Sequence, residues 1–252
     1  MNATIAVPAG GPLFEGHFPG RPILPGIAEL VLIARALAPS AGAPSVSAIP
    51  FARFRGLVRP ADRLDLAATP RGDGGVRFEV RREGALVANG AIVFGDPTPP
   101  HEGETAMAAR APRGAPTVQE LIPHRPPMLF VDRILAEAED GATCVGTVPR
   151  ACALVTAGEA PAFVALELAA QTAAVWEALR RSRAAGKAAP RTGYLVSIKD
   201  AVFHRGAIPA DGELLASIRL VAQALPLTTY AVQVVAEGGL ALSATIGTYL
   251  TD

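Results

Sequence analysis

Cysteine is nearly missing from this chain: 252 residues include two, Cys144 and Cys152, whose spacing fits neither a zinc site nor a redox pair. They read as structural thiols, and with no basic, apolar, small-residue leader at the start the expected compartment is the cytoplasm. Net charge is missing as well. Lys plus Arg and Asp plus Glu each total 23, so no global field recruits nucleic acid or an anionic membrane, and any partner must be chosen locally. Long unbroken apolar runs are also lacking. Residues 27–38 are too few, and 162–179 is interrupted by Glu167 and Gln171, which argues against a membrane span. What is present is a half-hydrophobic chain long enough for two ordinary domains with proper cores.

The most distinctive stretch is Phe14-Glu15-Gly16-His17-Phe18-Pro19-Gly20-Arg21-Pro22-Ile23-Leu24-Pro25-Gly26. Pro19, Pro22 and Pro25 fix φ while Gly16 and Gly20 allow turns, so the loop is stiff. Pro25-Gly26 immediately before an apolar periodic segment reads as a helix start. A helix N-terminus carries free N–H donors and partial positive charge, which suits a developing oxyanion. The loop therefore holds an imidazole, His17, beside a helix end, with Gly26 as candidate donor. It contains no suitably placed acid.

The pattern is α+β and it occurs twice. A short strand at 3–8 precedes the loop, a helix is expected at about 26–38 with Ile27, Leu30, Val31 and Ala34 as its stripe, and strands at about 45–55, 62–70, 75–82 and 85–95. The proline-rich residues 97–116, with His101, read as a linker. Beyond it come a short helix from Thr117 to Leu121, a stiff turn at Pro123-His124-Arg125-Pro126-Pro127, strands at 128–138 and 142–149, a long helix at 162–181, and strands at 193–204, 212–223, 228–237 and 240–250. Phe54-Arg55-Gly56-Leu57-Val58-Arg59-Pro60-Ala61-Asp62 against Phe203-His204-Arg205-Gly206-Ala207-Ile208-Pro209-Ala210-Asp211 shows the repeat in residues. The domains read as 1–96 and 117–252, a duplication with pseudo-two-fold pairing.

In the second helix Glu167 is surrounded by apolar residues, with Gln171 four positions on and on the same face. Burial of such a carboxylate is expensive unless it is paired, and desolvation is expected to raise its pKa toward that of a proton donor. His124 and His204 read as structural histidines, and the basic run Arg180 to Lys187 as a solvated face able to meet an acidic protein.

Gly16-His17-Phe18-Pro19-Gly20, Pro22 and Pro25-Gly26 resemble the active-site loop of the β-hydroxyacyl-acyl carrier protein dehydratases of the hot-dog fold (FabA/FabZ-like), in which an antiparallel sheet wraps a central helix. The resemblance implies a catalytic carboxylate fourteen residues after the histidine, where this chain has Val31. Glu29 lies about 200° around the helix from that position and is expected to point away. The second half, from Leu121-Ile122-Pro123-His124-Arg125-Pro126-Pro127 and Leu166-Glu167-Leu168-Ala169-Ala170-Gln171, resembles the same family but has no histidine between Cys152 and Ala160. The defects are complementary, and together the halves look similar to the paired dehydratases of aryl-polyene-type biosynthesis.

What the resemblance implies is a double hot-dog with one composite site. His17 would be the base and Glu167 the acid, with Gly26, Phe18, Gly20 and Gln171 binding substrate; no metal and no cofactor is expected. The substrate would be a 3-hydroxyacyl thioester on the phosphopantetheine of an acyl carrier protein, and the product a trans-2-enoyl thioester. The assembly expected is the internal pair or a homo-oligomer of it. The place facing Val31 and residues 153–156 should be inert. Two rivals remain open: a hot-dog thioesterase, and a carrier-binding partner subunit without catalysis.

Overall fold

A computed structural model describes residues 1–38, 45–99, 116–185 and 191–251. Most of the linker at 97–116, with His101, and the end of the basic run at Lys187 lie outside the described residues. Eleven strands form one antiparallel sheet in the order β1-β3-β4-β5-β2-β9-β13-β12-β11-β7-β6. The first half supplies β1 (Asn2–Ala6), β2 (Val46–Phe54), β3 (Arg63–Pro70), β4 (Gly75–Arg82) and β5 (Ala85–Phe94). The second supplies β6 (Val131–Ala138), β7 (Gly141–Gly146), β9 (Gly193–Phe203), β11 (Leu214–Ala224), β12 (Leu227–Ala236) and β13 (Gly239–Leu250). The halves meet where β2 pairs with β9, from Ala48 opposite Val202 to Arg53 opposite Ser197. The duplication thus becomes one continuous sheet, the double hot-dog that the family resemblance implies.

Alternation in the strands sets which face is covered. In β3 Leu64, Leu66 and Ala68 are buried while their neighbours are exposed, and β12 buries Thr228, Tyr230, Val232, Val234 and Ala236 in the same two-residue rhythm. Against that face lie α1 (Gly26–Leu37) and α3 (Ala165–Ala185). Burial in α1 extends beyond the expected stripe and includes Ala28, Glu29 and Ile33. The segment from Ala162 to Arg183 is long and apolar enough to cross a membrane, with mean hydropathy 1.3, but 89% of its most apolar window is buried inside the protein; here it is a core helix.

Three local departures have physical reasons. Residues 128–130 do not join β6, because the Gln171 side chain takes the Met128 carbonyl (2.7 Å) and the Phe130 N–H (2.8 Å) that a neighbouring strand would have used. The second helix opens with a 3₁₀ turn at Ala162–Val164 after Pro161, before α3 proper. A two-stranded sheet, β8 (Glu159–Pro161) with β10 (Ala207–Pro209), is too short to leave a periodic signal. A four-residue helix, α2 (Val118–Leu121), precedes the Pro123 turn. Both cysteines are buried and free, as structural thiols should be.

The packing beneath α3 is anchored by Trp176, fully buried, edge-on to Tyr230 at 5.9 Å, its Nε1–H donating to the Ala138 carbonyl at 3.1 Å. Replacing Trp176 with Ala should remove about 3–5 kcal/mol of unfolding free energy, measured by denaturant titration. A loss below about 1 kcal/mol would mean that this contact does not anchor the core.

Candidate active site

The His17 loop is closed on itself and clamped to the other half. Its backbone turns twice: Phe18 and Arg21 exchange hydrogen bonds (3.3 and 3.0 Å), and the Ile23 N–H donates to the His17 carbonyl at 3.1 Å. Leu24 donates to Val58 at 2.8 Å, which ties the loop exit to the residues after β2. At its start the Arg125 N–H donates to the Gly16 carbonyl at 3.0 Å. Gly16 has φ +79°, and a Cβ there would stand 1.8 Å from the Arg125 carbonyl oxygen, so only glycine fits. Arg125 in turn pins its own turn through Nη1 to the carbonyls of Ile122 (2.9 Å) and His124 (2.6 Å) and through Nη2 to that of Gln119 (3.1 Å).

This clamp brings residues from both halves together. His17, His124 and Glu167 each offer a ligand or proton-transfer atom within 4.8 Å of the others, and all three are buried. The His17 and His124 rings lie 5.4 Å apart, and His124 Nε2 is 3.4 Å from Glu167 Oε1. Gln171 Nε2 donates to the same carboxylate oxygen at 3.0 Å. The structure therefore places His17 beside Glu167 across the halves. It also corrects the reading of His124: a turn histidine expected to be structural stands inside the cluster. His204, by contrast, bonds the Thr98 carbonyl at 2.7 Å.

The remaining substrate-side residues divide. Gly26 and Gln171 line a cavity shared with His17, His124 and Glu167. A Cβ at residue 26 would approach the Phe54 ring to 3.2 Å, so glycine keeps that wall open. Phe18 packs instead behind the cluster, stacked on the His17 ring at 4.1 Å and edge-on to His124 at 4.8 Å. Gly20 sits in an exposed turn at φ +75°. The cavity follows one face of α3 through Glu167, Gln171, Ala174, Glu177 and Arg181, fourteen residues or about 21 Å of helix. Val31, in the place of the missing acid, is 2% exposed in the apolar core, as is Leu154.

The electrostatics divide the two roles. Burial drives the His17 imidazole down to about 4, although Glu167 nearby pulls the other way. His17 Nδ1 lies 2.9 Å from the Ile23 carbonyl. A carbonyl can only accept, so Nδ1 carries the proton and Nε2 keeps a free lone pair. For Glu167, burial alone would raise the pKa as expected from the sequence. The hydrogen bond and charge of His124, the charge of His17 and the Gln171 bond together outweigh burial and leave it below the usual value. The expected rise is thus reversed by a histidine that the sequence reading left out of the site. Glu29 behaves in the opposite way: it lines the cavity rather than pointing away, and burial pushes it up to about 8. Two imidazoles and a carboxylate are also donors that a divalent cation accepts.

A family model described as ApeP dehydratase matches residues 116–252, and one described as ApeI dehydratase matches residues 1–91. The chain belongs to the hot-dog dehydratases. The 3-hydroxyacyl-[acyl-carrier-protein] dehydratase FabZ of Novosphingobium aromaticivorans is 33% identical over 119 residues, spanning 43% of this chain and 70% of that protein. Among solved structures, the dehydratase domain of RzxB from Pseudomonas fluorescens superposes with TM-score 0.71 at 12% identity, over 98% of this chain and 93% of that one. The dehydratase heterocomplex ApeI:P from Xenorhabdus doucetiae gives TM-score 0.50 at 21% identity, over 55% and 93%. In this dehydratase the two matched families occupy one chain, one in each half.

Two measurements follow from the site. Gly16→Ala should unseat the loop from Arg125, costing at least tenfold in turnover together with a lower melting temperature; unchanged values would show that the clamp is dispensable. Glu29 binds its proton more tightly folded than unfolded, so its contribution to stability is full below the ordinary carboxylate range and is lost as pH rises through about 8. Glu29→Gln does not titrate, so its melting temperature should gain on the wild type between pH 5 and 9. Parallel curves would contradict a buried, unpaired carboxyl.

Proposed function

We propose that this dehydratase removes water from 3-hydroxyacyl thioesters at a single composite site, His17 serving as base and Glu167 with His124 as the proton-delivering pair. The observation that supports this most is the meeting of His17 and Glu167 from opposite halves within one cavity. A neutral imidazole with Nε2 free is the form that can accept a proton from carbon 2 of the acyl group. The N-terminal end of α1 at Gly26 would polarise the thioester carbonyl and stabilise the charge that develops on its oxygen.

The carbon 3 hydroxyl leaves as water after taking a proton held between Glu167 and His124. Because Glu167 by itself stays ionised, the donor is best described as the hydrogen-bonded pair rather than a lone carboxylic acid. Carbon 2 loses its proton to His17, the C–O bond at carbon 3 breaks and the C2–C3 double bond forms. The enzyme is left with one proton moved from the Glu167–His124 pair to His17. The 5.4 Å between the two rings lets that proton return.

The substrate is read as an acyl group on the phosphopantetheine of an acyl carrier protein, in fatty-acid, polyketide or aryl-polyene-type biosynthesis, with no resident cofactor. Of the basic residues near the end of α3, Arg183 is paired with Glu137 at 2.6 Å and Arg180 lies over Trp176, whereas Arg191 is exposed on the cavity's rim. Arg191 is therefore the better contact for an acidic carrier. Residues 1–96 and 117–252 are taken as the two domains joined by 97–116, in a cytoplasmic protein able to self-associate.

His17→Ala should abolish turnover, and Glu167→Ala should lower it by about 10²- to 10⁴-fold with the fold kept, followed by mass spectrometry of carrier-bound 3-hydroxyacyl groups. Near wild-type rates would remove the composite site, and release of free acid would indicate hydrolysis instead. Since His17 must be neutral, the acid limb of kcat/KM should lie at about pH 4; an acid limb centred at the ordinary histidine value would contradict that base.

A further inference from the structure

The reaction as described gives Glu29 no task. This residue sits in the first turn of α1, three positions after Gly26, with Ile27, Ala28, Leu30, Val31, Ile33 and Ala34 buried around it. It is 2% exposed, it lines the same cavity as His17 and Glu167, and its Oε1 has no hydrogen-bonding partner among the described residues. A buried carboxyl oxygen without a partner is costly and native interiors rarely keep one. Tyr194 repeats the arrangement: it lines the cavity, its ring lies 6.5 Å from that of Phe18, and its buried Oη is likewise unpartnered among those residues.

We infer that the acyl group taken by this cavity carries an oxygen function, a hydroxyl or a carbonyl, beyond the reacting carbons, and that Glu29 holds it as a specificity-determining residue. This rests on the dehydratase reading only for the thioester end of the ligand. Burial is the cause of the raised Glu29 pKa, with no charged neighbour among the described residues contributing. At neutral pH Glu29 is accordingly mostly a neutral carboxylic acid that can both donate and accept, which matches a neutral oxygen. A plain alkyl chain would cover Glu29 Oε1 and Tyr194 Oη and leave both unpaired, and sites built around such groups reject analogues that lack the partner.

The same polar atoms could instead meet the amide groups of the pantetheine arm, so the test holds the arm constant. Unreactive acyl-pantetheine amides of one length, either plain alkyl or with a hydroxyl moved stepwise along the chain, are titrated by calorimetry into the full chain, Glu29→Gln and Glu29→Leu. The wild type should bind one hydroxylated isomer about tenfold more tightly than the alkyl compound. Glu29→Leu should invert the order, weakening that isomer about tenfold and tightening the alkyl compound, while Glu29→Gln keeps the wild-type preference. Equal weakening of both series by Glu29→Leu would assign Glu29 to the shared arm and overturn the inference, as would a wild type that does not discriminate. Because binding is read without turnover, failure of the dehydratase reading shows separately, as no water lost from 3-hydroxyacyl thioesters.

Discussion

The cluster of His17, His124 and Glu167 depends on a backbone contact between two stiff turns, Gly16 against Arg125. The halves contribute different parts of the cluster: the first has His17, and the second has His124 and Glu167. The hydrogen bond from Arg125 to the Gly16 carbonyl, made possible by the missing side chain at residue 16, sets the distance between them. Both turns are rigid before they meet, one through its prolines and the other through Arg125 bonding three carbonyls. Little conformational entropy is therefore lost in bringing the cluster together.

The cluster separates charge states by environment. His17 is buried among rings and held neutral by desolvation, while Glu167, equally buried, is kept ionised by His124 and Gln171. Gln171 does more than support the carboxylate. By taking the backbone of Met128 and Phe130 it also fixes the segment that follows the His124 turn. One side chain thus couples the register of the second half to the position of the acid.

The sequence made the loop and the helical acid legible because both are local: a stiff Gly/Pro frame around His17 and a lone carboxylate in an apolar helix are visible within a dozen residues. The duplicated strand order was legible for the same reason, through two-residue alternation and turn residues. His124 was not, since a histidine between prolines looks alike whether it supports a turn or reaches a carboxylate from another element; its proximity to Glu167 is purely tertiary. The direction of the Glu167 shift was lost with it, because burial was visible in sequence and the compensating partner was not. For Glu29 the helical angle from Val31 was sound, but it assumed that only one face of α1 is enclosed. The surrounding structure buries most of the helix, Arg35 being exposed, so a residue turned away from Val31 still meets a cavity wall.

The seam between β2 and β9 has a consequence for assembly. If the halves were separate chains, each could pair with its own kind, and a pair of first halves would join imidazole to valine while a pair of second halves would set Glu167 against a loop without histidine. Held on one chain, the correct neighbour is present at a high effective concentration whatever the protein's abundance. Dilution cannot separate His17 from Glu167, and each half is free to drift further from self-complementarity.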